Sequence, residues 1–287
     1  MSDALATGVV TELVPGVRRL IAPNASLMTG PGTNTYLLGE REIAVIDPGP
    51  AIAAHVRQIA DDAGAPIRWI LVTHTHPDHS PAARSLAAAT GAETLGIPAP
   101  DGRHQDKTFV PDRRLGDGDT FSTGEFELRV IHTPGHASNH LCYLHAEHGW
   151  LFTGDHIING STVVIDPPDG SMSQYLDSLV RLKGEEIRVI APGHGAPLDA
   201  PYDAIEWLIE HRLKREAKVI DRLGRLTDAA LAELVRAVYD EVSESLHRLA
   251  ERSLLAHLLK LEEEGRALRT GDRWRLADAG NRQDDVS

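Results

Sequence analysis

The feature that most constrains this chain is a run of four metal-binding side chains within six residues. Residues 73–80 read Thr-His-Thr-His-Pro-Asp-His-Ser, directly after a predicted buried strand at residues 69–73. Alternation along an extended stretch places His74 and His76 on one side, and Asp78 and His79 then turn toward a neighbouring position. Imidazole and carboxylate donors suit zinc and similar divalent cations where no thiolate is offered. The segment therefore predicts a metal site at a strand end.

Three later segments each present one further donor after a predicted strand. They are Thr-Pro-Gly-His ending at His136, Phe-Thr-Gly-Asp ending at Asp155, and Ala-Pro-Gly-His ending at His194. The glycine before each donor lets the backbone turn sharply and approach its neighbours closely. These segments can therefore deliver further ligands to the same site.

Taken in order, these segments resemble the metallo-β-lactamase superfamily, with its HxHxDH motif and its later His, Asp and His, over residues 16–200. The resemblance implies an α/β fold, an αβ/βα sandwich of two mixed sheets with helices outside and the metals at one edge. It implies two divalent metal ions, with Zn²⁺ expected and Mn²⁺ or Fe²⁺ as alternatives. One would be held by His74, His76 and His136, and the second by Asp78, His79 and His194, with Asp155 bridging.

Such a site suits hydrolysis. Two cations about 3.5–4 Å apart can hold a bridging water and lower its pKa toward neutrality. The same cations polarise the electrophile and stabilise developing negative charge. We therefore expect a metal-bridging hydroxide as the nucleophile, with Asp78 and Asp155 as catalytic residues that orient it as well as bind metal.

Other residues near these segments admit two interpretations. His140 follows His136 closely and is a candidate for orienting a metal ligand from behind. Cys142 lies in a strand pattern and is expected to be a small buried hydrophobe. The resemblance gives Asp47 a structural role, supporting the motif loop. Three residues either line the substrate mouth or pack the loops (Phe109, Met172, Tyr175). The polar stretch at residues 98–119 is predicted as a long loop, and three of its residues are expected to be solvated (Arg103, His104, Lys107).

Composition narrows the class of protein. A chain of 287 residues with 41% hydrophobic residues can bury one large core and a small accessory domain. A net charge of −13 without a long basic run argues against tight nucleic-acid binding. The single cysteine allows no internal disulfide. The sequence contains neither a secretory signal pattern nor an apolar run of roughly 18 residues, so we expect a cytoplasmic protein that does not enter membranes.

The pattern of predicted secondary structure changes near residue 200. Before it, strands are predicted at residues 42–47, 69–73, 126–131, 141–144, 150–153 and 187–191, with helices at 51–62, 80–90 and 174–182. After it, helices at 204–223, 228–239 and 246–264 precede a short hairpin around residues 270–272. Three helices and a hairpin are the order of a winged helix. We therefore expect a catalytic domain at residues 1–200 and a helical connector with a winged-helix-like domain at 201–287.

The segments at residues 32–39 and 246–266 resemble the lactamase-beta-like protein 2 group, some members of which cleave single-stranded RNA. The candidate recognition helix carries mixed charge, which does not favour nucleic-acid contact. Four arginines place positive charge on the hairpin (Arg266, Arg269, Arg273, Arg275).

We expect a small ester, thioester or other acyl substrate. The alternatives are a metal-dependent endoribonuclease on single-stranded RNA, a β-lactamase-like side activity, and a catalytically silent winged-helix binding protein. A secreted β-lactamase is disfavoured because His79 stands where those enzymes carry Arg, and Asp155 replaces a cysteine ligand found in several of them. In a hydrolase of small acyl compounds, we expect the winged helix to pack against the catalytic domain, to act as a lid or to form a homodimer contact.

Overall fold

A computed structural model describes residues 5–277 of the chain. Its first part contains two sheets packed face to face. The larger sheet has seven strands in chain order, antiparallel from the first to the fourth and parallel from there to the seventh. Its strands are β1 (Thr11–Val14), β2 (Val17–Ile21), β3 (Asn34–Leu38), β4 (Ile43–Ile46), β5 (Ile67–Leu71), β6 (Glu93–Gly96) and β7 (Arg113–Arg114).

The second sheet has five strands, in the order β12-β11-β10-β9-β8. Among these strands only β11 and β12 pair in parallel. These strands are β8 (Thr120–Ser122), β9 (Glu127–His132), β10 (Leu141–His145), β11 (Trp150–Gly154) and β12 (Val189–Pro192). Strands buried on both faces read as continuous apolar runs, and β4, β10 and β11 are buried along their whole length.

Helices cover the outer face of each sheet. Helices α1 (Ala53–Asp62) and α2 (Ala82–Thr90) pack on the seven-stranded sheet. Helices α3 (Met172–Leu182) and α4 (Pro201–Leu226) pack on the five-stranded sheet. Between the sheets lies a core that includes Tyr36, Tyr143 and Phe152. The predicted αβ/βα sandwich is therefore confirmed.

The C-terminal part has its own apolar core around the buried Trp274 and Leu254. It contains α5 (Leu231–Val238), a short 3₁₀ turn (Glu244–Leu246) and α6 (His247–Glu263). A small sheet follows the order β13-β15-β14, formed by Ala229–Ala230, Arg273–Leu276 and Ala267–Thr270. Helices followed by a hairpin match the predicted winged-helix-like domain.

Helix α4 joins the two parts. Ile205 and Leu208 on this helix pack into the catalytic sandwich, whereas Val219 and Leu223 pack into the C-terminal core. The helix is thus shared by both cores, as expected of a packed connector. The division at residue 200 stays a prediction, and residues 278–287 of the second range lie outside the described residues.

Several strands were not predicted from the sequence. In β2, two arginines interrupt the apolar run, yet Arg19 is buried. The polar stretch at residues 98–119, predicted as a loop, contains the two-residue edge strand β7. Short or charged strands follow no clear alternation, because their place is set by the neighbouring strand. Across residues 5–277 we find no helix that is long and apolar enough to cross a membrane.

Candidate metal centre

Three imidazoles and one carboxylate form the first group of donor atoms. The Nδ1 atom of His76 lies 3.0 Å from Nε2 of His74 and 3.0 Å from Nε2 of His136. The Oδ2 atom of Asp155 lies 3.6 Å from Nε2 of His136. These four donors all lie within 4.8 Å of one another.

A second group lies beside the first and shares Asp155. The Oδ1 atom of Asp155 lies 3.3 Å from Nε2 of His79 and 3.2 Å from Nε2 of His194. The Oδ2 atom of Asp78 lies 3.7 Å from the same nitrogen of His79 and 3.3 Å from that of His194. The structure thus brings all seven predicted side chains together, and the two oxygens of Asp155 face different groups.

The fold delivers these residues from strand ends. The loop with the HxHxDH motif follows β5, and His136 lies in the turn between β9 and β10. Asp155 directly follows β11, and His194 comes two residues after β12. Gly193 makes the approach close, because a Cβ at this position would lie 2.8 Å from Cε1 of His79 and 2.9 Å from Oδ1 of Asp155. No larger residue fits there without moving a donor.

Hydrogen bonds orient the imidazoles. The Nδ1 atom of His136 donates to the carbonyl oxygen of Val164 at 2.7 Å, and that of His194 donates to the carbonyl oxygen of Gly32 at 3.2 Å. Because a carbonyl oxygen only accepts, each of these rings carries a proton on Nδ1 and turns its Nε2 toward the other donors. His76 is the exception, since its Nδ1 faces the other donors.

Asp47 supports the motif loop, as the resemblance implied. Its Oδ1 accepts from the backbone N–H of Thr73 at 2.7 Å. Its Oδ2 accepts from the Thr73 hydroxyl at 2.7 Å and from Nδ1 of His79 at 2.8 Å. The Thr73 hydroxyl in turn lies 3.0 Å from Nδ1 of His74. One buried carboxylate therefore orients a donor in each group.

The donor set fits divalent cations. Three buried atoms at its centre lack any hydrogen-bond partner among the described residues: Nε2 of His79, Nε2 of His194 and Oδ1 of Asp155. Buried polar atoms are rarely left unpaired. These three point with the other donor atoms into a common space. A cation would satisfy each of them, and imidazole with carboxylate is a donor set suited to zinc, manganese or iron.

The pKa shifts follow from the same crowding. Burial and, after it, the neighbouring imidazoles lower the pKa of His74 well below its usual value and that of His76 to about 3. Burial alone would raise the pKa of Asp155, but His194 and His79 hold it well below its usual range. Burial would lower the pKa of His194, yet Asp155 raises it to about 10. Opposite charges thus concentrate around Asp155, and the three-histidine side excludes protons.

His140 lies behind the first group. Its ring stacks on His74 with centroids 4.9 Å apart, and its Nδ1 lies 3.0 Å from the Thr133 hydroxyl. It contacts His74 through the ring face, so its predicted orienting role would act by packing. Cys142 is buried, lies 3.2 Å from the same hydroxyl and has its pKa raised by burial to about 12. A thiol that stays protonated at neutral pH matches the predicted hydrophobic role.

The donors open into a cavity of about 590 Å³. Three residues considered for its mouth do not line it: Phe109 packs under α2, and Met172 and Tyr175 belong to the core beneath α3. Arg103 and His104, which were expected to be solvated, are exposed and also line this cavity. The remaining lining residues are Asn24, Met28, Thr29, Pro50, His76, Pro77, Asp78, Gln105, His136, Asp155, Val164, Asp166, Asp169, Leu249 and Arg252.

The C-terminal domain forms part of this wall. Leu249 and Arg252, three residues apart on one face of α6, both line the cavity. An ion pair of 3.3 Å joins Arg252 to Asp166. Sequence reasoning missed this wall, and the only available signal was the apolar-then-basic spacing on a helix whose partner surface the sequence does not show.

Comparisons with known proteins agree with this architecture. The model of the metallo-beta-lactamase superfamily matches residues 28–194, and that of the beta-lactamase associated winged helix domain matches residues 230–274. The "Beta-lactamase-like protein 2 homolog" of Drosophila melanogaster is 34% identical, over 90% of this chain and 91% of its own. An "Atrochrysone carboxyl ACP thioesterase" of Aspergillus chevalieri is 31% identical, over 87% and 82%.

Among solved structures, a beta-lactamase domain protein from Burkholderia ambifaria superposes with a TM-score of 0.83 at 24% identity, covering 96% of each chain. This likeness concerns the fold. The family models and the relatives extend through the sandwich and the winged helix alike. The chain is therefore a hydrolase of the metallo-β-lactamase superfamily, of the lactamase-beta-like protein 2 type with a C-terminal winged helix.

Proposed function

We propose that this protein hydrolyses a small acyl ester or thioester with two divalent cations, held by His74, His76 and His136 on one side and by Asp78, His79 and His194 on the other, with Asp155 between them. The observation that carries the proposal is the shared carboxylate. Its two oxygens face two separate groups of buried donors at the floor of an open cavity.

Cations in these groups would supply Lewis acidity, which makes water nucleophilic near neutral pH and polarises a carbonyl oxygen. Overall, the oxygen of water adds to the acyl carbon, the bond from that carbon to sulfur or alkoxy oxygen breaks, and the leaving group takes up a proton. The products are a carboxylic acid and a thiol or alcohol. No redox partner is needed.

The chain's own residues shape the reaction. Asp78 is the more exposed of the two carboxylates, with 26% of its side chain accessible against 14% for Asp155. We assign to both the holding of the attacking water through an accepted hydrogen bond, Asp78 from the cavity side and Asp155 from below. Pro50, Pro77, Val164 and Leu249 line the cavity with apolar surface, which favours an acyl group over bulk water.

A thioester is our first choice within this class. Relatives named as acyl carrier protein thioesterases match over most of both chains at 30–31% identity. The cavity volume of about 590 Å³ lies within the roughly 300–1,000 Å³ of small-molecule sites. A water-filled groove for a polymer is not required for such a substrate.

RNA cleavage is the weaker candidate. The hairpin arginines that would contact nucleic acid are partly neutralised: Arg273 pairs with Asp228 at 2.8 Å, and Arg266 pairs with Glu216 at 3.1 Å and with Glu264 at 2.9 Å. With a net charge of −13 on the chain, long-range attraction of phosphates is unfavourable.

A substrate panel tests the proposal. The zinc- or manganese-loaded protein is offered an aryl ester, a simple thioester, a chromogenic lactam, an aryl phosphodiester and single-stranded RNA, with Asp155→Ala as the site variant and Asp221→Ala, on the outer surface of α4, as a matched control. We expect thioester or ester turnover that Asp155→Ala abolishes and Asp221→Ala retains. Turnover that survives in Asp155→Ala, or cleavage of RNA alone, would contradict the assignment. A protein silent on every compound would point to a binding role.

A further inference from the structure

A second cavity of about 510 Å³ adjoins the cavity above the donors. The two share one wall, formed by Met28, Arg103, Asp166, Leu249 and Arg252. The outer cavity extends from this wall along the first two turns of α6 and reaches Leu231 at the start of α5. A substrate too long for the inner cavity would therefore extend into the outer one, between the two domains.

The outer cavity holds two unpaired guanidinium groups. Arg103, in the loop between β6 and β7, and Arg248, on α6, are exposed, and within residues 5–277 neither side chain forms an ion pair or a hydrogen bond. Arg252 is already matched by Asp166 at 3.3 Å. Glu251 is the one unpaired carboxylate among the described residues that line the outer cavity. Two free positive charges against one negative charge leave the cavity positive in a chain that is acidic as a whole.

Apolar side chains accompany these charges. Leu27 and Met28 lie at the tip of a loop, with 76% and 50% of their surface exposed. Leu246 and Leu255 on the C-terminal domain line the same cavity. Exposed apolar groups clustered at a cavity indicate ligand binding more than chance, because water contact with them is unfavourable. Apolar walls with free guanidinium groups suit a ligand that has an apolar body and an anionic end.

We propose that the outer cavity binds the anionic distal end of an acyl thioester whose reacting carbonyl lies at the donor groups, with Arg103 and Arg248 as the residues that select a phosphate or carboxylate. This inference rests on the proposed function. Guanidinium groups form paired hydrogen bonds with either anion, so the anion can lie on the acyl part or on the thiol part of the substrate.

Three hexanoyl-type thioesters separate these sources. The neutral one is hexanoyl-N-acetylcysteamine, the second carries a terminal carboxylate on the acyl chain, and the third is hexanoyl-coenzyme A, with phosphates on the thiol side. The quantity measured is the ratio of kcat/KM for each anionic thioester to that for the neutral one. The variants are Arg103→Gln with Arg248→Gln, Glu251→Gln, and the matched control Arg236→Gln, an exposed arginine of α5 that forms no ion pair within the described chain.

An exposed ion pair contributes up to about a fivefold effect in binding. Because the double variant removes two such pairs, it should lower the kcat/KM ratio about tenfold for the anion that this cavity binds. The loss should lie in a higher KM for that thioester. Glu251→Gln should raise the ratio about threefold, Arg236→Gln should leave it unchanged, and salt should reduce the wild-type ratio. The thioester that responds identifies the side on which the anion lies. Ratios that are the same in the double variant and the wild type overturn the inference and leave the proposed function intact. Absence of turnover with all three thioesters overturns the inference, and it overturns the proposed function as well if the aryl ester is not hydrolysed either.

Discussion

Asp47→Asn is the substitution that tests most sharply how the donors are oriented. The change keeps the size and shape of the side chain, and asparagine tolerates the left-handed backbone at this position, where φ is 48°. It replaces Oδ2, which accepts from the Thr73 hydroxyl and from Nδ1 of His79, by an N–H₂ group that can only donate. The N–H of His79 then meets another donor.

The imidazole of His79 can then place its proton on either nitrogen, and both arrangements weaken metal binding. If its proton stays on Nδ1, a buried donor is left unpaired at about 1–3 kcal/mol. If the proton moves to Nε2, the nitrogen that faces Asp155 at 3.3 Å can no longer bind a cation. Loss of such an orienting partner typically lowers metal affinity 10–100-fold. We expect this loss for the cation bound by His79, Asp78 and His194, and a smaller one for the other.

Competition against a chromophoric chelator measures the Zn²⁺ affinities of the two proposed sites in turn. Asp112→Asn is the matched control, because Asp112 accepts from the backbone N–H and the hydroxyl of Thr94 at 2.9 and 2.8 Å and neither residue belongs to a donor group. Circular dichroism of both variants checks that the sandwich forms. Two zinc affinities within twofold of wild type in Asp47→Asn would refute the orienting role, and an equal loss in Asp112→Asn would assign the effect to general destabilisation.

Three further predictions address the closeness of the donors, the thiol and the pH dependence. Gly193→Ala should reduce the bound zinc measured by elemental analysis, because the added Cβ would enter the space of His79 and Asp155. Gly116→Ala is the control and should bind zinc as the wild type does, because its Cβ would meet nothing closer than 3.7 Å. Equal zinc content in the two variants would contradict this prediction. Cys142 should resist a thiol reagent at pH 8 in the native protein and react once guanidinium is added, since burial raises its pKa to about 12; rapid native labelling would show that the strand opens. Burial lowers the pKa of His257 from 6.5 to about 4, so the unfolded chain binds more protons between those values and stability should fall as the pH falls from about 6.5 to 4, by as much as about 3 kcal/mol. Urea unfolding of wild type and His257→Leu should show a flatter pH dependence in the variant, and parallel curves would contradict the assignment.

The convergence of the seven side chains could be predicted from the sequence because the signal of each is local. The HxHxDH segment, the three Gly-His or Gly-Asp turns and the strands before them are each readable within a few residues. Their convergence follows from the strand ends of the sandwich. The donor atom is not the same in every ring, since His76 turns Nδ1 to the site while His74 and His136 turn Nε2. For His136 that choice follows from a hydrogen bond to the remote backbone of Val164, which no local pattern reveals.

The cavity wall was hidden for a related reason. Leu249 reads as part of an apolar core stripe on α6, and Arg252 as one charge on a mixed face. Only the packing of α6 against residues 163–166 turns both toward the donors. Likewise, β2 was missed because its two central arginines break the apolar pattern, although Arg19 is buried. Long-range packing overrides local propensity at such positions.

The segment at residues 163–166 explains why the winged helix belongs to the active site. The carbonyl oxygen of Val164 accepts from His136 and thereby orients a metal-facing imidazole. On either side, Arg212 of α4 donates to the carbonyl oxygen of Val163 at 2.5 Å, and the N–H of Ile165 donates to the hydroxyl of Ser253 on α6 at 3.4 Å. Helices of the connector and the C-terminal domain thus hold the backbone that holds a donor. A catalytic sandwich cut free of these helices would keep its seven donors in sequence but lose the support of one of them and a wall of its cavity.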